Sequence, residues 1–537
     1  MKKVFIGKRI VLVYVMTVII AFGAVLRIMV LNTDEKVKAS AGENRYRIKL
    51  SDMRITVFDC NMNPITNSED KIMAVVYPTP RAITAVSTFL SDTELTDLKK
   101  RLSSGMPAAV ELPKEIECDG VYCFTLKCNK ASVNVCPQLI GYTDSQGVGV
   151  MGIQKAYQNE LYHEDISALV STDGLGGLLL GGEAELSVDL RDYNSGIMLT
   201  IDSSLQTVLQ NSMKSVKSGA AVLIEASSGK IRAMVSLPDF DTSNVAAYLG
   251  SEDSPFVNRA LSAYNVGSVF KPVVAAAILE SGIYSDYTVY CSGSAKIDDH
   301  IFGCHKSEGH GLVNLENAIT QSCNVFFYNI AEKIGADKIL ETASLFRFGK
   351  TVDIGGIYTD AGSFPKNGSE QSPTDIANLS IGQGSVLLSP ISLAMVYEAI
   401  ANGGIYNTPT VFEGRVEKGA LIPAKASSPT RAFTEKTADT LKNYLKNVVS
   451  SGTGNAAKPE YTTAAGKTAT AQTGWQKNGR IIQNSWFCGF FPDDKPKYVA
   501  VVMIDDTDKN GTYAAPIFKN IADGVSLLEK SRNSTLN

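Results

Sequence analysis

Between Ile10 and Leu26 the chain carries no charged side chain, and after Arg27 the apolar run resumes through Leu31. At about 1.5 Å per residue, a helix of this length matches the roughly 30 Å hydrocarbon core of a bilayer. Lys2, Lys3, Lys8 and Arg9 precede it. The positive-inside rule then places residues 1–9 in the cytoplasm, 10–31 in the membrane as a single-pass anchor, and everything beyond them outside. A cleaved signal peptide competes with this reading, and Ala39-Ser40-Ala41 offers a site for it. An h-region is normally shorter, however, and ends closer to its cut. Residues 32–44 are polar and charged and read as a stalk.

Past the stalk the pattern changes to short apolar runs separated by turns. Arg54–Phe58, Ala74–Tyr77 and Val121–Leu126 read as strands, and Ser91–Leu102 as a helix capped by Ser91 or Asp92 with Glu94 behind. The glycine-rich run 174–182 marks a loop near a junction. From there the signals strengthen: Ala220–Ile224 and Ile231–Val235 flank a Ser/Gly turn and predict a hairpin. Helices dominate to about residue 450, among them Pro272–Ser281, stopped by Gly282, and Pro390–Ala401, stopped by Gly403. Strands return at Ser485–Phe491 and Tyr498–Ile504. A sheet made from the two ends of one domain, with helices between, is the implied architecture. The fold class is therefore α+β: the anchor, a strand-rich domain over 45–200, a domain over 201–532 with helices around a mainly antiparallel sheet, and a tail over 533–537.

Composition narrows the function classes. With 537 residues, 44% hydrophobic and 20% charged, the chain is long enough for several folded domains and too apolar for wholesale disorder. Its net charge of −4 supplies no basic field, so nucleic acid is not an expected partner. Nine cysteines, an odd number in an exported chain, leave at least one thiol without an intramolecular partner. Cys291 and Cys304 enclose a short loop and are candidates for a disulfide. Cys118, Cys123 and Cys128 lie too far apart for a metal knuckle and read as strand residues. His300, Cys304, His305 and His310 likewise fit no standard zinc spacing and read as a loop. Gly147–Gly152 matches a dinucleotide fingerprint only formally, because no βαβ unit surrounds it. No metal and no cofactor is expected. With His163 these are the only histidines, and there is no Gly-x-Ser-x-Gly elbow, which argues against a Ser-His-Asp hydrolase.

Nucleophile chemistry is nevertheless present. Gly267-Ser268-Val269-Phe270-Lys271 runs into an apolar helical segment. Residues three apart share a helix face, so an amine at Lys271 can approach the Ser268 hydroxyl. Lysine serves as a base only if burial or a neighbouring cation keeps it neutral. Alone, Ser-x-x-Lys is a weak signal. Downstream, however, come Ser322-Cys323-Asn324 and then Lys467-Thr468-Ala469-Thr470. In order and spacing the three motifs resemble those of penicillin-binding proteins and serine β-lactamases. Asn258-Arg259-Ala260, His310-Gly311, Gly382-Gln383-Gly384, Ala401-Asn402-Gly403-Gly404 and Trp486-Phe487 with Gly489-Phe490 extend the likeness over roughly 220–530. Thr200-Ile201-Asp202, Leu205-Gln206 and the Asp59-x-Asn61 turn resemble the non-catalytic pedestal of monofunctional, class B, members. There the match is loose, with Met53-Arg54-Ile55 and Asp59-Cys60-Asn61-Met62 where the family usually has Arg-Gly and Asp-Arg-Asn-Gly.

The resemblance implies a D,D-transpeptidase that cross-links peptidoglycan stem peptides and is acylated by β-lactams. Ser268 is then the nucleophile, Lys271 the general base and Ser322 a proton relay. Asn324 holds the donor peptide, Lys467 and Thr468 bind its terminal carboxylate, and the backbone N–H groups of Ser268 and Thr470 form the oxyanion hole. The region before the catalytic domain is too short for a glycosyltransferase, so the resemblance also implies a SEDS-type glycosyltransferase partner. Ala469 stands where the family has glycine, and its methyl is expected to crowd the strand edge. A catalytically weak cell-wall scaffold is the alternative that follows from such crowding. A β-lactamase or β-lactam sensor is the alternative that shares the same motifs.

Overall fold

The computed structural model describes residues 2–33, 45–51, 54–67, 69–128, 135–144, 147–161, 165–172, 178, 184–187, 195–282, 286–366, 368–477, 479–507 and 513–535. Most of the expected stalk, the Ala39-Ser40-Ala41 site, most of the glycine-rich run 174–182 and the last two residues of the tail lie outside them. The apolar N-terminal run forms one helix, Lys2–Thr33. Its window Ile10–Arg27 has a mean hydropathy of 2.4 and is long and apolar enough to cross a membrane.

Two compact units follow, and they interleave along the chain instead of dividing at residue 200. One unit contains 1–53, 69–128 and 163–190; the other contains 54–68, 129–162 and 191–537. In the first, Glu69–Val76 is the middle strand of an antiparallel sheet between Ala108–Leu112 and Val121–Cys128. This strand begins earlier than its apolar run does. Its charged start is balanced across the sheet, where Asp70 pairs with Lys127 and Lys71 with Glu111. Ala74 and Val76 face Val86, Leu98 and Leu102 of two covering helices. The second of these, Asp92–Leu102, opens on a complete capping box between Ser91 and Glu94. A second sheet of the same unit joins Arg45–Ser51, Ile166–Ser171 and Glu185–Leu186.

The larger unit is built on a five-stranded antiparallel sheet. Its order is Ile231–Leu237, Gly219–Glu225, Tyr498–Thr507, Arg480–Phe491, Ala465–Lys477. Both faces are covered, which is why its strands read as continuous apolar runs. Ala220, Val222, Ile224, Val501 and Trp486 point to one core, while Ala221, Leu223, Val502 and Phe487 point to the other. Against the second core lie the helices Ser203–Met213 and Ala514–Thr535, tied at their ends by an Arg532–Asp202 ion pair of 2.8 Å. Against the first lie Lys271–Ser281, Asn324–Ile334, Pro390–Ala401 and Glu435–Ser450. All twelve residues of Pro390–Ala401 are buried, and the whole of Lys271–Ile278 is buried too. Neither buried stretch has a polar stripe because neither has a solvent face.

The segment assigned from sequence to the pedestal contributes directly to this unit. Thr56–Phe58 pairs in parallel with Gly196–Leu199, which continues through Phe412–Glu417 to Ala420–Pro423. Arg54 is 2% exposed, and its guanidinium donates to Gly147 O, to Gln154 Oε1 and O, and to Gln158 Oε1. The Gly147–Gly152 stretch thus receives a buried arginine at the Gly147 carbonyl. Asp59, fully buried, accepts from the backbone of Asn61, Asn63 and Ser203 and closes the Asp59-x-Asn61 turn.

Candidate active site

Ser268 stands in a 3₁₀ turn, Gly267–Phe270, that runs directly into the helix Lys271–Ser281, with Pro272 in its first turn. Gly267 has φ +61° and its N–H donates to Gly382 O at 2.9 Å. Gly382, at φ +70°, comes so close that a Cβ there would lie 2.3 Å from Gly267 O and 2.7 Å from Phe270 Cβ. Glycine at both positions lets the Gly382-Gln383-Gly384 loop press on the Ser268 turn. From beneath, the Tyr397 hydroxyl donates to Val269 O at 3.0 Å, and Trp486 Nε1 donates to Asn265 O at 2.9 Å.

Lys271 enters the core, 0% exposed. Its Nζ donates to Ser322 O at 2.8 Å, to Ser322 Oγ at 3.3 Å and to Asn324 Oδ1 at 2.7 Å, and it lies 5.2 Å from the centre of the Phe327 ring. Burial pulls its pKa down to about 7. Ser322 adopts a left-handed φ of +57°, an uncommon conformation for serine, which turns its carbonyl and hydroxyl together onto that amine. Lys467 is also fully buried, and burial together with the Lys271 charge holds its pKa well below the usual lysine range. It donates to Thr468 O at 3.1 Å.

Above these amines opens a cavity of about 840 Å³. Ser268, Ser322, Asn324, Thr468 and Thr470 all line it, with Asn378, Gln383, Thr453, Gln472 and Gln483 around them. The lysines lie below this lining. Thr470 sits on the Ala465–Lys477 strand opposite Ser485, beside the nucleophile turn. Ala469, expected to crowd the strand edge, is 4% exposed, packs in the apolar core with Trp486 and Ala471, and is also among the residues that line the cavity.

Thr453 is a residue that the motifs did not flag. Its hydroxyl bonds to Thr468 Oγ1 at 3.1 Å and lines the cavity. The glycines on either side of it were the available signal. A Cβ on Gly452 would meet Thr320 O at 2.3 Å, so the loop passes too close to the second-motif segment for any other residue. Cys291 and Cys304, the candidate disulfide pair, carry free thiols. Both stand beside His310 and Cys323 at the edge of the cavity, which Cys304 and His305 help to line.

A family model described as "Penicillin binding protein transpeptidase domain" matches residues 219–523. The chain belongs to this penicillin-binding family. Its relatives include Stage V sporulation protein D of Bacillus subtilis, 30% identical over 71% of this chain and 61% of that protein. The peptidoglycan D,D-transpeptidase MrdA of Acinetobacter baumannii is 27% identical over 73% of this chain and 62% of the relative. The matches thus span somewhat under two thirds of these curated relatives. Among solved structures, penicillin-binding protein 3 of Mycobacterium tuberculosis, complexed with aztreonam, superposes with a TM-score of 0.66 at 21% identity, over 91% of this chain and 97% of that one. The D,D-transpeptidase domain of a peptidoglycan glycosyltransferase from Eggerthella lenta gives 0.64 at 23% identity, over 90% and 99%. The penicillin-binding fold begins at the Gly219–Glu225 strand, where the five-stranded sheet begins in the sequence.

Proposed function

We propose that the protein is a membrane-anchored peptidoglycan D,D-transpeptidase working through a Ser268 acyl-enzyme. The observation that carries this is the convergence of Ser268, Ser322, Asn324, Thr468 and Thr470 on one cavity over a buried Lys271 whose pKa falls to about 7. Ser268 Oγ attacks the carbonyl of the penultimate D-Ala while Lys271 Nζ takes its proton. The oxyanion receives the N–H groups of Ser268 and Thr470. Collapse breaks the peptide bond, and the proton returns through Ser322 to the departing D-Ala amine. An amine of a neighbouring stem peptide then attacks the ester, yields its proton to the base and regenerates Ser268. Asn324 orients the donor peptide, and Lys467 with Thr468 receives its terminal carboxylate.

A β-lactam presents the same acyl carbon and carboxylate and leaves a stable ester on Ser268. The helix Lys2–Thr33 anchors the chain with its N-terminus in the cytoplasm and the catalytic unit outside, where a SEDS-type glycosyltransferase supplies the glycan. Intact-mass analysis after treatment with a fluorescent penicillin tests the assignment. Wild type gains one acyl adduct and Ser268→Ala gains none; failure of folded wild type to label removes the reading.

A further inference from the structure

The reaction just described leaves the side chain of Cys323 unused. Although it sits between Ser322 and Asn324, it turns into the protein and is 0% exposed. Around its sulfur stand Cys291, Cys304 and His310, and the four candidate donor atoms all lie within 4.8 Å of one another. His310 Nδ1 is 3.6 Å from Cys291 Sγ and 3.6 Å from Cys304 Sγ. With Zn–S near 2.3 Å and Zn–N near 2.05 Å, the sulfur-to-nitrogen edge of a tetrahedral zinc centre comes to about 3.6 Å. We infer that Cys291, Cys304, His310 and Cys323 hold a zinc ion in a closed structural site that clamps the loop of the second motif to the arm 289–313.

The backbone is arranged to bring these groups together. Cys291 ends the strand Val289–Cys291, which pairs with Gly311–Val313 so that Cys291 faces Gly311. His310 is thereby set beside Cys291, and its N–H donates to Cys291 O at 3.1 Å. Gly309 permits the approach, since a Cβ there would lie 2.1 Å from that same oxygen. Cys304 follows the strand His300–Gly303 and is fixed by its own N–H to Gly293 O at 2.8 Å. Cys323 is the N-cap residue of the helix Asn324–Ile334. The Asn324 N–H points at Cys304 Sγ at 3.4 Å, a hydrogen bond that suits a metal-bound thiolate.

Three thiolates and one imidazole complete a Cys₃His set, which leaves no position for water or substrate and marks the site as structural. A disulfide would use two of the four groups and strand the other two. The arm carries exposed apolar side chains, with Tyr290, Ile301 and Leu312 at 71%, 79% and 69% exposed. What the metal fixes is close to the chemistry. Asn324, one residue from Cys323, gives Oδ1 to Lys271 and Nδ2 to Gly303 O of the arm.

The test uses the full-length protein in detergent, purified without chelator from cells grown with added zinc. Elemental analysis should find about one zinc per chain, and Cys291→Ser and His310→Ala should lose it. Cobalt(II) replacing the zinc should give thiolate-to-cobalt charge transfer and the visible bands of a tetrahedral centre. Chelation should lower the melting temperature by several degrees and raise hydrogen exchange in 289–313 and 320–326. Wild type that holds only traces of zinc and takes up no cobalt overturns the inference, as does an intact mass showing a disulfide among these cysteines. Metal content of wild type decides the matter even if the variants fail to fold. Slower penicillin acylation after chelation is also expected, and that effect alone rests on the transpeptidase reading. Zinc binding without any acylation would sink that reading and leave the metal site standing.

Discussion

If Lys271 is the base that activates Ser268, acylation must follow the titration of a buried amine. Burial lowers its pKa from 10.5 to about 7. At about 1.36 kcal/mol per unit, that shift represents on the order of 5 kcal/mol of lost ammonium hydration. An ordinary lysine is neutral only a few times in ten thousand at pH 7, whereas this one is neutral about half the time, a gain of roughly 10³ in competent enzyme. The sign follows directly. Protonation removes the base, so the second-order rate constant for penicillin acylation should be level above pH 8, half-maximal near pH 7, and fall about tenfold per unit below pH 6. Stopped-flow fluorescence with a labelled penicillin between pH 5 and 9 reads this, with intact mass confirming one adduct at each pH. Lys271→Arg keeps a cation that cannot deprotonate and should lose at least about 10³ in rate. A flat profile from pH 5 to 9 in a protein that still labels at Ser268 would refute the assignment of Lys271 as base.

Three further outcomes are expected. Gly382→Ala forces a methyl to 2.3 Å from Gly267 O at a φ of +70°, so it should cost upwards of about 2 kcal/mol and slow acylation at least tenfold; an unchanged melting temperature and rate would show that the loop does not support the nucleophile turn. Ala469→Gly removes a core methyl, and should cost about 1 kcal/mol by thermal denaturation while leaving acylation within about threefold; a large gain in rate would mean that the methyl crowds the site after all. Glu398 is fully buried, keeps Oε2 without a hydrogen bond, and has its pKa raised by burial to about 8 although Asn407 donates to its other oxygen. Its ionisation favours the unfolded chain, so its contribution to stability falls as pH rises from about 4.5 to 8 and is level below that window. Glu398→Gln should match wild type at pH 4.5 and exceed it by up to about 4 kcal/mol at pH 8 in chemical denaturation; parallel stability curves for the two proteins would count against a buried neutral carboxyl.

How far the fold could be read from sequence depended on where each element buries its surface. The hairpin at Ala220 and the strands at Ser485 and Tyr498 were legible because a sheet covered on both faces needs uninterrupted apolar runs. The helix ends at Ser91 and Gly282 were legible because caps are local chemistry: a side chain meeting its own third neighbour, and a left-handed φ of +65°. Glu69–Val76 was read only from Ala74 because its charged start looks like a turn until the partner strands supply Lys127 and Glu111. The membership of Thr56–Phe58 in the larger unit had no local signal at all. It depends on parallel pairing with Gly196–Leu199, a contact between segments far apart in the chain.

Long-range placement also explains what was missed at the site. The three motifs named the groups that face the cavity, since an order of short signatures is a sequence property. They did not foretell that both lysines are fully buried and absent from its lining, with the Lys271 charge helping to lower the pKa of Lys467. Two amines so placed cannot both be charged cheaply. Cys323 was hidden for a related reason. Metal spacing rules look for ligands close together in the chain, whereas here strand pairing brings His310 to Cys291, and a helix start inside the second motif brings Cys323 to Cys304. One side chain of that motif thus turns toward a candidate metal while its neighbours on either side accept from Lys271. Any disturbance of the arm 289–313 that shifts Cys323 must shift Ser322 and Asn324 with it.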